Sequence, residues 1–547
     1  MRVGLGQFNA VVGDLAGNTA KMEDMYARAT AGEVDLLIFP ELAVCGYPPE
    51  DLLHKRHFLR DNRQAVEKLA AECSQKTIVV GFAEGNKDKS YNAAAVLEKG
   101  RIAKICRKVL LPNYGVFDEQ RYFCPGTEPV VIEIGGMKAA ITICRDIWDI
   151  KWLADFLKGA GQIQVIVNIS ASPFCIGKSE QRQTVVRQCA REFNSAICYC
   201  NLVGGQDELV FDGRSMFVDS TGQTISAGRA FEEDLLIADI TADGGTVKVK
   251  PLGTAAAQPG GEIDEVYQAL VLGTRDYARK NGFEKVLLGL SGGIDSSVVA
   301  CIAAEALGSK NVVGIVMPSR FNSPETVRDA ERLAKNLGIK LLTIAIERIL
   351  GRFHESLASV AGWDDKGTAY ENLQARIRGV ILMSLSNQFG SLVLTTGNKS
   401  ETAVGYTTLY GDTAGGFAVI KDVCKTLVYK LAEHINQTAG RQIIPGEVLT
   451  RAPSAELKAG QKDSDSLPDY DLLDRVLKGY VEQDKSAQQL IEAGLPKDVV
   501  HDVIGMVDRN EYKRRQSPPG IKITPKAFGK DRRLPITNRY SSFGNSV

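Results

Sequence analysis

The sequence predicts an α/β protein built in two halves, and three observations predict it. Short apolar runs alternate with longer amphipathic stretches along the chain, the pattern of strands and helices packed in layers. The second half repeats strand-then-helix units, which need crossover connections and so imply a parallel, doubly wound sheet. Between the halves lies GTAAAQPGGE (253–262), whose small and turn-forming residues suit a linker. A chain of 547 residues also exceeds what one core organises and calls for about two to four domains. The expected division is 1–242, a linker over 243–263, and 264–547.

Taken in order, MRVGLGQFNAVVGD at the N-terminus reads as a strand and a turn. DLLIFP (35–40), TIVVGFA (77–83), AAAVLEKG (93–100), AAITIC (139–144), VIVNIS (165–170) and AICYCN (196–201) read as strands. Helical spacing appears around 18–32, 58–75 and 179–193. In the second half strands are expected near 286–290, 311–317, 340–346 and 391–396. The basic, Pro- and Gly-punctuated stretch YKRRQSPPGIKITPKAFGKDRR (512–533) reads equally well as a solvated tail or as an arm that closes over an anionic ligand.

Composition excludes several classes. Lys plus Arg equals Asp plus Glu at 66 each, so no net field steers the chain to nucleic acid or a membrane surface. No apolar run approaches the ~18–20 residues that span a bilayer. The N-terminus lacks the apolar core and cleavage site of a signal peptide. Eleven cysteines without framework spacing fit a reducing cytoplasm, and Cys198 and Cys200 alternate as packing residues in a strand. Five histidines, none grouped with cysteines, argue against zinc, and nothing calls for haem.

The strongest motif is VLLGLSGGIDSSVV (286–299). An apolar run, Val286 to Leu290, stops at a Gly- and Ser-rich turn, and a small-residue apolar stretch from Ser297 to Leu307 follows as a helix. Backbone N–H groups at such a junction converge on one spot and make an anion site. Gly292 and Gly293 let the chain curl, and Ser291, Ser296 and Ser297 add hydroxyls. Asp295 repels a phosphate unless a divalent cation sits between them. The GK[ST] ending of a Walker A loop is missing. The segment resembles the SGGxDS loop of ATP pyrophosphatases, which split ATP into AMP and pyrophosphate to activate a carbonyl group. On this loop alone, many amidating and thiolating enzymes remain open.

In the first half, Glu41 follows DLLIFP, Lys108 lies in CRKVLLPNYGVFDE, and Cys144 ends AAITIC before RDIWD. Each is the kind of strand-end or loop position where catalytic groups sit. With the words FPEL (39–42), KVLLPNYGVFDE (108–119) and CRDIWD (144–149), they resemble the Glu–Lys–Cys set of the nitrilase superfamily. The resemblance implies an α-β-β-α sandwich in which Cys144 attacks an amide, Glu41 moves the proton, and Lys108 with the Arg145 N–H holds the oxyanion. It makes Glu119 a fourth residue that orients the site. Glutamine-using relatives imply Tyr114, Phe117, Ser172 and Lys178 as glutamine-binding positions. Arg145 departs from them, since many carry an acidic residue there, and this leaves open how the glutamine α-ammonium is held.

Downstream, TTGNKSETAVGYTTLYGDTAGG (395–416), GFAVIKDVCKTLVYKLA (416–432) and SAELKAGQKDSDSLPDYD (454–471) are polar loops with Gly turns. As words they resemble the synthetase domain of NAD synthetases, over about 264–540, and the two halves together resemble the glutamine-dependent NAD synthetase family. The resemblance implies a nitrilase-like domain joined to a doubly wound ATP-pyrophosphatase domain. It gives Gly289, Leu290, Ser291, Gly292, Gly293, Ile294, Asp295, Ser296, Ser297 and Thr396 to ATP. It gives Asn372, Glu401 and Lys513 to deamido-NAD⁺, and Asp295 and Glu401 to Mg²⁺. Arg376, Asp412, Lys421 and Lys425 are neighbours of that site, and PSRFNSPET (318–326) matches a loop that orders over the nucleotide. The implied reaction turns deamido-NAD⁺, ATP and glutamine into NAD⁺, AMP, pyrophosphate and glutamate, with ammonia passed along a shielded route. The family implies a homodimer or larger homo-oligomer. Other amidotransferases with this loop, such as GMP- or asparagine-forming enzymes, would pair it with a different type of glutaminase.

Overall fold

The computed structural model describes residues 1–85, 89–243, 245–253, 260–364 and 367–540. It divides into two compact units, Met1–Gly260 and Gly261–Val547.

Among the described residues the first unit holds two main sheets. One runs edge to edge as Thr246–Leu252, Asp234–Asp243, Arg2–Gln7, Leu36–Ile38, Thr77–Gly85, Ser90–Glu98 and Arg101–Arg107. The other runs as Thr224–Ala227, Met216–Val218, Ala196–Asn201, Val165–Ser170, Met137–Ile143 and Val130–Ile134. Their facing sides interdigitate through Val3, Leu5, Ile38, Val79, Ile141, Val165 and Val167. Burying each such side chain fully contributes about 1.5–3 kcal/mol. Helices Leu15–Ala31 and Arg56–Glu72 cover the outer side of the first sheet. Helices Ile150–Leu157 and Lys178–Phe193 cover the second. The layers are therefore α-β-β-α, as the family words imply. Cys198 and Cys200 both face the inter-sheet core.

The second unit carries a five-stranded sheet ordered Lys340–Thr343, Val312–Val316, Val286–Gly289, Leu392–Thr395 and Phe417–Ala418, with every pair parallel. Strand order reverses between Val286–Gly289 and Leu392–Thr395. In open α/β sheets a crevice opens at that point beyond the carboxyl ends of the strands. A second apolar cluster, with Val404, Leu473, Val476, Val503 and Phe528, packs the C-terminal helices together.

Two expectations need correction. The linker expected over 243–263 begins later, because Thr246–Leu252 pairs antiparallel with Asp234–Asp243 as an edge strand. Its alternation (TVKVKPL) buries Val247 while the lysines face outward. Residues 244 and 254–259 of that linker lie outside the described residues. The stretch 512–533 is not a solvated tail, and of its residues Lys513 lines the cleft of the second unit. Arg514, Ile521, Lys522, Ile523, Thr524 and Phe528 are all buried in the second unit.

Candidate active sites

In the first unit, strand ends bring three distant residues to one place. Glu41 follows Leu36–Ile38, Lys108 follows Arg101–Arg107, and Cys144 follows Met137–Ile143. Lys108 Nζ donates to Glu41 Oε1 at 2.7 Å and to Glu119 Oε1 at 2.8 Å. Glu41 also accepts from Asn92 Nδ2 and from the Ala171 N–H, both at 2.7 Å. Tyr47 OH donates to Glu119 Oε1 at 2.9 Å, and Glu119 Oε2 is buried with no partner. Gly81 lets the adjacent strand approach: a Cβ there would lie 2.3 Å from both Pro40 O and Leu42 N. Any larger residue would push away the loop that carries Glu41.

Cys144 sits at φ +45°, an unusual value for a residue with a Cβ. The turn it opens, Cys144–Ile147, is pinned by Asp146. That carboxylate accepts from the Ile143 N–H at 3.1 Å and from the Val109 and Leu110 N–H groups at 3.2 and 2.9 Å. One side chain thus fixes the thiol's turn to the strand end that carries Lys108.

The electrostatics follow from burial. Burial pushes the Cys144 thiol up to about 12; Glu41 and Glu119 add to this and Lys108 opposes it. Burial likewise lifts Glu119 to about 7, against the Lys108 ammonium and with the Glu41 charge. For Lys108 burial pulls downward, but Glu119, Glu41 and Cys144 outweigh it and hold the ammonium well above its ordinary value. The resting site therefore pairs a neutral thiol with a locked ammonium. It can lose the thiol proton to a carboxylate only as the sulfur attacks.

Aromatic and cationic side chains flank this core. Tyr114 and Phe117 meet edge to face at 5.7 Å. The Arg145 guanidinium lies 5.6 Å from the Tyr114 ring centre and 5.7 Å from that of Trp148. Lys178 Nζ lies 4.2 Å over the same Trp148 ring. Ser172 follows Ala171, the N–H donor to Glu41, and its own N–H donates to Asn201 Oδ1 at 2.9 Å. The four expected glutamine positions thus gather near Cys144, while Tyr114 stays 54% exposed. Sequence reasoning missed Tyr47 and Asn92, which no local word marks, and gave no role to Asp146 and Trp148, although both lie in CRDIWD (144–149).

In the second unit a cleft of about 560 Å³ opens at the switch point and is lined by the loop after Val286–Gly289, by Thr396 and by Asn372, Glu401 and Lys513. Helix Ile294–Leu307 begins at this loop. Gly292 has φ +79°, and a Cβ there would lie 2.0 Å from Thr326 O, so only glycine makes the turn. Ser296 and Ser297 donate to Gly293 O at 3.1 and 2.8 Å. Ser291 through Ser296 line the cleft, whereas Ser297, expected with them, does not and spends its hydroxyl on that carbonyl.

Asp295 and Glu401 converge on one cation. Lys425 Nζ bonds Asp295 Oδ2 and lies 3.3 Å from Glu401 Oε1. Asn398 ties them further: its Nδ2 donates to Asp295 Oδ1 at 2.8 Å, and its Oδ1 accepts the Glu401 N–H at 2.9 Å. Burial pushes Glu401 up to about 8, with Lys425 opposing and Asp295 adding. Asp463, another carboxylate on the cleft, is also raised by burial. Asn372 Oδ1 accepts from Thr408 Oγ1 at 2.7 Å, and Lys513 Nζ donates to Gly405 O and Thr407 O at 2.7 and 2.9 Å. Of the four expected neighbours, Asp412 and Lys425 line the cleft. Arg376 instead donates to Leu409 O, and Lys421 to Pro518 O. Within 318–326, Asn322 and Thr326 reach the cleft and both bond Glu456 Oε2, at 2.9 and 3.0 Å.

Comparison with known proteins gives the same two-part picture. The carbon–nitrogen hydrolase family matches residues 2–248, and the NAD synthase family matches 266–517. A glutamine-dependent NAD(+) synthetase from Thermotoga maritima is 46% identical over 571 aligned positions, covering 99% of both chains. One from Aquifex aeolicus is 44% identical, covering 98% of this chain and 99% of its own. A solved structure of the Acinetobacter baumannii glutamine-dependent NAD⁺ synthetase with ADP matches at 41% identity and TM-score 0.78, covering 99% of each chain. One from Cytophaga hutchinsonii shares the fold at TM-score 0.84 and 22% identity. With both family matches and this identity along nearly its whole length, the chain belongs to the glutamine-dependent NAD(+) synthetases.

Proposed function

We propose that the two sites divide one synthesis, in which Cys144 releases ammonia from glutamine and the cleft uses it to amidate deamido-NAD⁺ at the expense of ATP. The observation that carries this reading is the presence, in one chain, of the Glu41–Lys108–Cys144 cluster and the Gly292 phosphate loop facing Asp295, Glu401 and Lys425.

In the first site the thiol attacks the glutamine amide carbon while Glu41 takes its proton. Lys108 and the Arg145 N–H stabilise the oxyanion. Glu41 returns the proton to the leaving ammonia, and a thioester remains. Water, deprotonated by Glu41, then releases glutamate. The positive charges of Arg145 and Lys178 suit the glutamine α-carboxylate.

In the second site the nicotinate carboxylate attacks the ATP α-phosphorus and pyrophosphate leaves. Ammonia then attacks the acyl carbon of the adenylate and AMP leaves. The loop N–H groups and Ser291 cradle the phosphates. Asn372 and Lys513 hold the dinucleotide. The donor set fits Mg²⁺, since Asp295 and Glu401 offer only oxygens and already share one cation, and Mg²⁺ uses one or two carboxylates with substrate phosphates. Asp295 and Glu401 would hold the ion, which would supply positive charge against that of the phosphates.

The test is AMP and NAD⁺ formation from ATP and glutamine with deamido-NAD⁺, against other carboxylate acceptors. Turnover only with another acceptor would overturn the substrate assignment. Assembly through the synthetase half belongs to the same proposal, since Val380, Met383 and Phe389 expose apolar surface on the helix Thr368–Phe389. Light scattering at a single-chain mass would exclude it. No helix among the described residues is long and apolar enough to cross a membrane.

A further inference from the structure

One of the cleft carboxylates, Glu401, stands on a helix that is gripped from behind. Asn398 caps Lys399–Val404 and bonds Asp295 from beneath the cleft, and Glu401 in the first turn meets Lys425 at the cleft. Lys399 lies between them in sequence, does not line the cleft and is fully buried. Its Nζ bonds Glu482 Oε1 at 2.7 Å, Thr524 Oγ1 at 2.7 Å, Lys526 O at 3.1 Å and Asp422 Oδ1 at 2.9 Å. Such an ammonium is tolerated only when its protons are all paired.

Three of these partners belong to, or hold, the C-terminal segment: Thr524 and Lys526 are part of it, and Asp422 binds it. Asp422 Oδ2 accepts the Ile523 and Thr524 N–H groups at 2.8 and 2.7 Å, and Asp422 Oδ1 lies 2.9 Å from the Thr524 hydroxyl. The segment is seated on the sheet edge as well. Ala418 N–H donates to Pro519 O at 2.8 Å, and a Cβ on Gly520 would lie 2.4 Å from Ala418 O. Residues 519–524 are therefore fixed in place before they reach Lys399.

We propose that Lys399 is a positioning residue of the synthetase site: the C-terminal segment, through Thr524 and Asp422, grips its ammonium and so sets how Asn398 and Glu401 meet Asp295. The basic stretch read as tail or arm is a buttress for the nucleotide site. The inference rests on the reading of Asp295 and Glu401 as the residues that hold ATP with its metal.

Thr524→Val deletes the hydroxyl at nearly constant shape, and Thr524→Ser restores it. The readouts are ATP binding by calorimetry with Mg²⁺, ammonia-driven synthesis, and glutamine hydrolysis without ATP. Thr524→Val is expected to weaken ATP binding and to lower synthesis, each about tenfold, as outer-layer partners of metal-binding groups do. Thr524→Ser should stay within about twofold of the parent, and glutamine hydrolysis should not change in either. A Thr524→Val protein that melts lower yet binds ATP and synthesises like the parent would overturn the proposal. So would a Thr524→Ser protein as impaired as Thr524→Val, which would make the methyl packing the cause. If Thr524→Val does not fold, Glu482→Gln leaves the C-terminal segment whole. It should give a few-fold loss in the same two quantities, and parental values there also refute the grip. Asp295→Asn run alongside separates the two readings. If it is crippled while Thr524→Val and Glu482→Gln are not, the buttress fails and the site stands. If it too is unaffected, the site reading fails and the buttress with it.

Discussion

The two sites solve opposite electrostatic problems. The Cys144 site is nearly closed to solvent: Glu41, Lys108 and Glu119 are buried and bond one another, Tyr47, Asn92 and Ala171 add further donors, and Glu119 Oε2 stays unpaired. The Asp295 site opens on a cleft of about 560 Å³ and leaves its carboxylates paired to a single lysine. A glutamine amide is small and neutral, so its site gains from low dielectric, which strengthens each preorganised charge at the oxyanion. ATP and a dinucleotide are large anions and must enter solvated. Their site therefore needs room and charges that can change partners. Lys425, shared by two carboxylates, is such a charge.

The sharpest way to break this division is to remove one chemistry and watch the other. Cys144→Ala should reduce glutamine-driven NAD⁺ formation by about 10⁶-fold, the scale seen when a nucleophile is deleted. Ammonia-driven formation, measured with concentrated ammonium at mildly alkaline pH, should stay within about twofold because the cleft is intact. Loss of both activities in a folded protein would mean the sites are not separate.

Asp295→Asn is the mirror experiment. It should lower synthesis from either nitrogen source by about 10²–10³-fold, since one preorganised charge at the reacting phosphates is lost. Glutamine hydrolysis without ATP should persist. A variant that synthesises normally and keeps its Mg²⁺ dependence would take Asp295 out of the site.

Between these extremes lies communication. An uncoupled glutaminase wastes glutamine, so hydrolysis at Cys144 should rise when the cleft is loaded with ATP and deamido-NAD⁺. A coupling of about 1–3 kcal/mol corresponds to a 5- to 150-fold rise in glutamate release. Equal release with and without those ligands would leave two independent enzymes on one chain.

The same contrast explains what the sequence made legible. Val165–Ser170 and Ala196–Asn201 are buried on both sides, so their apolar runs stand out and match the expected bounds. Arg101–Arg107 escaped because Lys104 and its basic neighbours face outward on an edge strand, which breaks up the apolar run. Phe417–Ala418 escaped because two residues carry no period. Within the sites, groups at strand ends or in Gly-rich turns announced themselves through local words. Partners reached across sequence did not: Asn92 is 51 residues from Glu41, and Tyr47 is 72 from Glu119. Their bonds exist only once the sheets have brought distant strand ends together. Thr524, gripping Lys399 from 125 residues away, is legible only in three dimensions.

The smallest expected effect tests how finely the closed site is tuned. Burial lifts Glu119 to about 7, and the Tyr47 hydroxyl is one of the donors that hold it down. As pH falls through about 7, Glu119 takes up a proton and the negative charge facing Lys108 drops by one. The Lys108 ammonium is then balanced by one carboxylate fewer, so glutamine hydrolysis should fall on that side. Tyr47→Phe removes the donor while keeping the ring against Phe211. Without it the carboxylate is less stable and Glu119 holds its proton to higher pH. A hydrogen bond to the ionised carboxylate, at about 1.5–3 kcal/mol, moves the acidic limb upward by about 1–2 pH units. The measurement is glutamate release against pH in both proteins, with ammonia-driven synthesis as the control that should not move. A limb that stays in place would assign the titration to another group, and a shift in both activities would dissolve the contrast between a closed site and an open one.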